Sequence, residues 1–186
     1  SLDLSALTSF RVFVVNYNIR LVSSFPFTCH YFGSFDINVI SSLFPTLQRY
    51  LISDRSPFLR YFFPLGDFGF NDPYHRITYC SPDSLVTLDD CLVSSSAKHV
   101  MPFTYSGVNA ALSAIIMGYK NILLAGIDCD YRLSASSNET FKPLILSEDT
   151  ARISSAKSYW SQNYHQNGDY ITPPLANNTQ YLEWVE

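Results

Sequence analysis

Charge is scarce in this chain: 15% of its 186 residues are Asp, Glu, Lys or Arg, and their balance is −4. That balance leaves no basic footprint of the kind nucleic acid requires. Long apolar runs are missing as well. The longest candidate, Ala110 to Met117, is interrupted by Ser113, whereas a membrane-spanning helix needs roughly 18 such residues. The opening residues, SLDLSALTSF, have neither a basic start nor an apolar stretch, so no signal peptide is read there. An initiator Met is absent, and the chain reads as a fragment or a processed form. Paired cysteines are lacking: Cys29, Cys80, Cys91 and Cys129 are scattered, with no CxxC spacing. They read as buried free thiols in a reducing, cytoplasmic setting. The sequons at Asn138 and Asn177 carry little weight without a signal peptide. Phosphate-loop, HExxH and GxSxG motifs are all absent. His30, His75 and His99 lie far apart in sequence and support no metal site.

What is present is apolar and aromatic. Hydrophobic residues make up 47% of the chain, with 14 Phe and 13 Tyr, which fits one packed domain spanning 1–186. FRVFVVN (Phe10 to Asn16) and FTCHYFG (Phe27 to Gly33) read as buried strands. Asp36 is a plausible N-cap for a helix carrying Ile37, Ile40, Leu43 and Phe44, which Pro45 disturbs or ends. QRYLIS (Gln48 to Ser53) reads as a third strand. Residues 54–103 have recurrent Pro (57, 64, 73, 82, 102) and no clear period, with short strands at YFFPL and HRITYC. This stretch reads as a lid or insertion, or equally as an irregular packed connection. Ser106 caps a helix apolar on two sides, Gly118 ends it, and NILLAGI (Asn121 to Ile127) follows as a central strand. A helix from Ala151 to about Tyr164, a turn at QNGDY and a short last helix complete the chain. Strands alternating with helices give an α/β, Rossmann-like three-layer fold with a mainly parallel sheet.

In open α/β sheets, ligands bind beyond the carboxyl ends of the strands. The polar exits there are Asn16 and Asn18, then Ser34 and Asp36, then Asp128, Asp130 and Tyr131 with Gly126 just before them. The start of the Ser106 helix offers free backbone N–H groups, and Gly107 permits close approach of a phosphate. Together these describe a nucleotide site, with phosphate at Ser106–Gly107 and ribose or base near Asp128. The DCD triplet at 128–130 is either a cation-binding pair or a pair of turn carboxylates. His165, in NYHQNGDY, is the His most suited to act as a base, with a surface histidine as the alternative. Asp169 could orient it if the intervening turn folds back.

These residues resemble the small, single-domain bacterial sialyltransferases and a wider class of domains related to them. SLDLSAL is similar to the end of that family's glycine-rich loop, FRVFVVNYN to its second strand, and HYFGSFD to the next strand and its exit. YSGVNAALSAIIMGYKNILLAGIDCDY is similar to its Ser-Gly-Val helix, GYK turn and GID strand end. The resemblance implies a nucleotide-sugar fold with no bound metal or other cofactor, and a first strand and glycine-rich loop lying before residue 1. Asn16, Ser106, Gly107 and Asp128 would contact the nucleotide, and the donor would be CMP-sialic acid, transferred to a glycan hydroxyl. His165 would be the base. Tyr159, which stands where the family has its His, and Tyr164 would donate hydrogen bonds to the leaving phosphate. The alternatives are a pyrophosphokinase, with Asp128 and Asp130 holding Mg²⁺, or an inactive transferase-like structural module. A homo-oligomer or a larger assembly is compatible with each.

Overall fold

A computed structural model describes residues 4–80, 106–125, 144–145, 147–148 and 164–171. The chain divides into two compact units, Ser1–Leu124 and Ala125–Glu186. In the first, β1 (Val12–Val15), β2 (Cys29–Gly33), β3 (Arg60–Pro64) and β4 (Ile77–Cys80) form a sheet in chain order, each strand parallel to the next. The α/β expectation holds at this level. Val15 pairs with Gly33, Gly33 with Phe62, and Pro64 with Cys80, so the carboxyl ends of all four strands share one edge.

The helix α1 (Ile37–Leu51) links β2 to β3. The Asp36 side chain accepts the Asn38 N–H at 2.8 Å, which satisfies one of the unpaired amides at its start. Val39, Ile40, Leu43, Leu47 and Leu51 are buried, at the spacing of one helical face. That face decides one expectation and corrects another. Of the two readings of Pro45, ending the helix is the one that fails: it lies inside α1, where it removes one backbone donor and crowds the carbonyl of Ser41. Gln48 to Leu51 is helix rather than strand, because Leu47 and Leu51 continue the buried stripe.

Arg76 then secures the far end of α1. Its guanidinium donates to the carbonyls of Tyr50 (3.1 Å), Leu51 (2.5 Å) and Ser53 (3.0 Å) and lies over the Tyr61 and Tyr74 rings. Gln48 pins the loop between β3 and β4: Nε2 donates to the Asn71 carbonyl and Oε1 accepts the Asn71 N–H, both at 3.0 Å. Within residues 54–103, therefore, β3 and β4 are integral to the sheet; residues 81–103 lie outside the described residues.

Phe32, Phe58, Tyr61 and Phe63 are buried with ring centroids 5.3–6.3 Å apart, Tyr61 and Phe63 stacked and the other pairs edge-on or tilted. Such pairs add about 0.5–1.5 kcal/mol each beyond their area. A separate cluster joins Phe35, Phe62 and Cys80 with Phe13, Tyr31 and Met117.

The helix α2 (Ser106–Ile116) packs on β1, with Val108, Ala111 and Leu112 buried. It ends as expected at Gly118, whose φ is +90°. The Gly118 N–H donates to Ile115 O and the Tyr119 N–H to Ala114 O, the paired bonds of a left-handed glycine cap. The expected strand at Asn121–Ile127 is corrected over its described part. Residues 121–125 have no strand pairing, and Leu123 and Leu124 are 60% and 37% exposed. An apolar run specifies no partner strand, so periodicity alone could not place it. Residues 126–127 lie outside the described residues.

In the second unit, β5 (Leu144–Ile145) and β6 (Tyr170–Ile171) pair antiparallel. Tyr164, the end of the expected Ala151 helix, lies in a bend; 151–163 and the expected last helix are outside the described residues. No helix among the described residues is long and apolar enough to cross a membrane.

Candidate functional site

Asn16 and Ser34 are the first residues beyond β1 and β2, and the structure joins them. The Ser34 hydroxyl donates to Asn16 Oδ1 at 3.0 Å. The register explains the meeting: Val15 and Gly33 are partners, so the next residues on the two strands are neighbours. Asn16 turns out of the strand with φ +51°, a left-handed conformation that Asn tolerates better than most residues. The chain then winds directly into a 3-10 helix, Asn16–Ser24, with Tyr17, Ile19 and Leu21 buried. Gly33 is demanded by close approach, since a Cβ there would lie 2.9 Å from the Phe13 ring and 3.0 Å from the Phe35 ring. Ser34 is fully buried, and its N–H donates to the Phe62 carbonyl at 3.1 Å.

The other expected ligand residues fall as follows. Asn18 is half-buried in the 3-10 helix. Asp36 is engaged in capping α1. Ser106 and Gly107 are the first, half-buried residues of α2. Gly126, Asp128, Asp130 and Tyr131 lie outside the described residues, as does Tyr159.

His165 and Tyr164 belong to the second unit. The expectation of an exposed imidazole is corrected: His165 is 5% exposed, and Tyr164 packs edge-on against it at 4.7 Å. The QNGD turn does fold back. The Asp169 N–H donates to Gln166 O at 3.1 Å, Gly168 supplies φ +84°, and Asp169 Oδ2 accepts the Gln166 N–H at 2.7 Å. This brings buried Asp169 to 3.9 Å from His165 Nδ1. The carboxylate thus stands beside the ring edge, on the Nδ1 side.

Burial pushes the Cys29 and Cys80 thiols up to about 12, which fits inert buried thiols; Cys91 and Cys129 are outside the described residues. His30 Nδ1 accepts the Val12 N–H at 3.3 Å, and its pKa is lowered, first by desolvation and then by Arg11. His75 is exposed, and His99 is outside the described residues. Tyr31 and Tyr119 share a hydroxyl hydrogen bond at 2.9 Å.

Two features went unread in the sequence. The exit of β3, Leu65–Gly66–Asp67, stands at the same carboxyl edge; the Gly-Asp pair after YFFPL was its signal. A surface depression of about 370 Å³, lined by Thr8 and Phe25 to Thr28, opens at the other end, where β1 and β2 begin. Comparison with family models, curated proteins and solved structures gives no match.

Proposed function

We propose that this chain is a glycosyltransferase-like protein that holds the nucleotide of an activated sugar, of the CMP-sialic acid kind, at the carboxyl edge of its sheet. The observation that carries the proposal is the Asn16–Ser34 pair: two polar residues at adjacent strand exits, hydrogen-bonded at 3.0 Å, with Asn16 turned out of the strand at φ +51°. Ligand sites in open parallel sheets gather at that edge. A Rossmann-like, three-layer arrangement belongs to the same reading. It is supported by Met117, beyond the end of α2, packing against the cluster of Phe35, Phe62 and Cys80, while Phe44 of α1 reaches Phe63, which alternates with Phe62, through Phe70.

In this reading the backbone amides at Ser106–Gly107 receive the phosphate, and the side chains of Asn16 and Asn18 meet the nucleoside or its phosphate oxygens. By the family resemblance alone, His165 is the first candidate for the base that takes a proton from an acceptor hydroxyl, and Tyr159 and Tyr164 are candidates to donate to a leaving phosphate. A positioned general base contributes about 10²–10⁴-fold to rate. The family reading rests on the residues quoted for it above.

One observation favours a second reading, an inactive transferase-like module. The imidazole of His165 is almost wholly buried, with little surface left for an acceptor. A calorimetric titration with CMP decides between binding and its absence. Binding that is lost in Gly107→Val with the fold intact supports the nucleotide site; equal affinity in that variant removes Gly107 from it.

A further inference from the structure

The geometry points to Ser34 as a positioning residue that turns the Asn16 amide so that its Nδ2 donors face the carboxyl edge, fitting the site for a ligand group rich in acceptor oxygens, a phosphate or phosphodiester. The inference deepens the nucleotide reading above and rests on it for the identity of the ligand.

The argument starts from burial. Ser34 has no exposed surface, so no ligand reaches it directly. Its hydroxyl carries a proton that must find an acceptor, and among the described residues the side chain bonds only Asn16 Oδ1, at 3.0 Å. An Asn amide has one accepting and one donating end. Flipping it would put an N–H₂ group against the hydroxyl and leave the buried O–H proton unmatched, which is strongly disfavoured. The hydrogen bond therefore fixes the amide in one sense, Oδ1 inward and Nδ2 outward. Nδ2 has no acceptor among the described residues, and Asn16 is half-buried rather than enclosed. The backbone reinforces the placement: φ +51° at Asn16 carries its side chain off the strand at the start of the 3-10 helix. Two outward N–H donors recognise an acceptor and repel a donor. A phosphate oxygen satisfies them, and an ammonium or guanidinium group does not.

Nuclear magnetic resonance on the labelled chain, combined with a CMP titration, tests this. In the free protein both Asn16 Nδ2 protons should exchange with water at nearly free-amide rates, and CMP should slow them. An Nδ2 proton already protected in the free protein overturns the orientation. In Ser34→Ala, affinity for CMP should fall about tenfold, the scale of one lost hydrogen bond. In Asn16→Asp, which keeps the acceptor for Ser34 but presents a carboxylate, it should fall about 100-fold or more through like-charge repulsion. Ser34→Ala binding CMP as well as the parent does overturns the positioning role while leaving the nucleotide site standing. Free-amide exchange with no CMP binding by the parent chain overturns the ligand assignment instead.

Discussion

Arg76 shows how one side chain decides where an element can end. It supplies hydrogen bonds to the last two carbonyls of α1, Tyr50 and Leu51, and to that of Ser53 just beyond, where a helix end leaves acceptors unpaired. Arg76→Ala should lower stability by about 1.5–3 kcal/mol, the range for hydrogen bonds from a charged donor. Urea denaturation measures it, and an unchanged midpoint would show that water replaces the guanidinium without cost. His30 makes a pH-dependent contribution. Its folded pKa lies below the ordinary 6.5, because desolvation and Arg11 oppose the charged form. The folded state thus binds fewer protons than the unfolded one. The stabilisation is present above pH 6.5 and fades as pH falls through the lower folded value. Lowering pH from 7.5 to 5.5 should weaken the parent protein more than His30→Asn, which keeps an acceptor for Val12 and does not titrate; equal losses would contradict the assignment. The buried thiols give a third residue-scale expectation. Peptides containing Cys29 and Cys80 should stay unalkylated by iodoacetamide at pH 8 in the native protein, since thiols at about 12 hold almost no thiolate.

At the scale of elements, α2 depends on the left-handed residue that stops it. Gly118→Ala should cost about 1–2 kcal/mol, the penalty for a Cβ in that conformation, because φ there is +90° while the space around it is open. Calorimetric melting measures the loss, and no change would imply that the cap unwinds freely. This helix was legible in the sequence because its apolar period and its terminal glycine agreed, although Ser106, read as its cap, is its first helical residue. The strand exits at Asn16 and Ser34 were legible for a similar reason, since a polar residue directly after a β-branched or aromatic run marks a boundary. Where signals conflicted, reading failed. Pro45 argued for a break that the buried stripe of Leu43, Leu47 and Leu51 overrode. NILLAGI had hydrophobicity without any indication of partner. The Asn16–Ser34 bond was not readable at all, because it depends on register, which only pairing fixes. His165 looked exposed in a polar stretch, yet the Gly168 turn folds Asp169 back towards it.

For the whole molecule, the central claim is that a nucleotide sits at the edge where four parallel strands end. Net charge of −4 gives such a ligand no long-range attraction. Recognition would then rest on short-range donors: the Asn16 amide and the amides that open α2. The edge is opposite in kind to the depression at the strand starts, where Thr8 and Phe25 to Thr28 present an aromatic and hydroxyl lining. The two locations make the claim testable by position. Backbone amide chemical shifts recorded during a CMP titration give the most direct measurement. The account predicts shifts concentrated at residues 15–18, 33–36 and 106–108, with Thr8 and Phe25 to Thr28 unmoved. Shifts confined to the strand-start depression, or none at any residue at millimolar CMP, would contradict it.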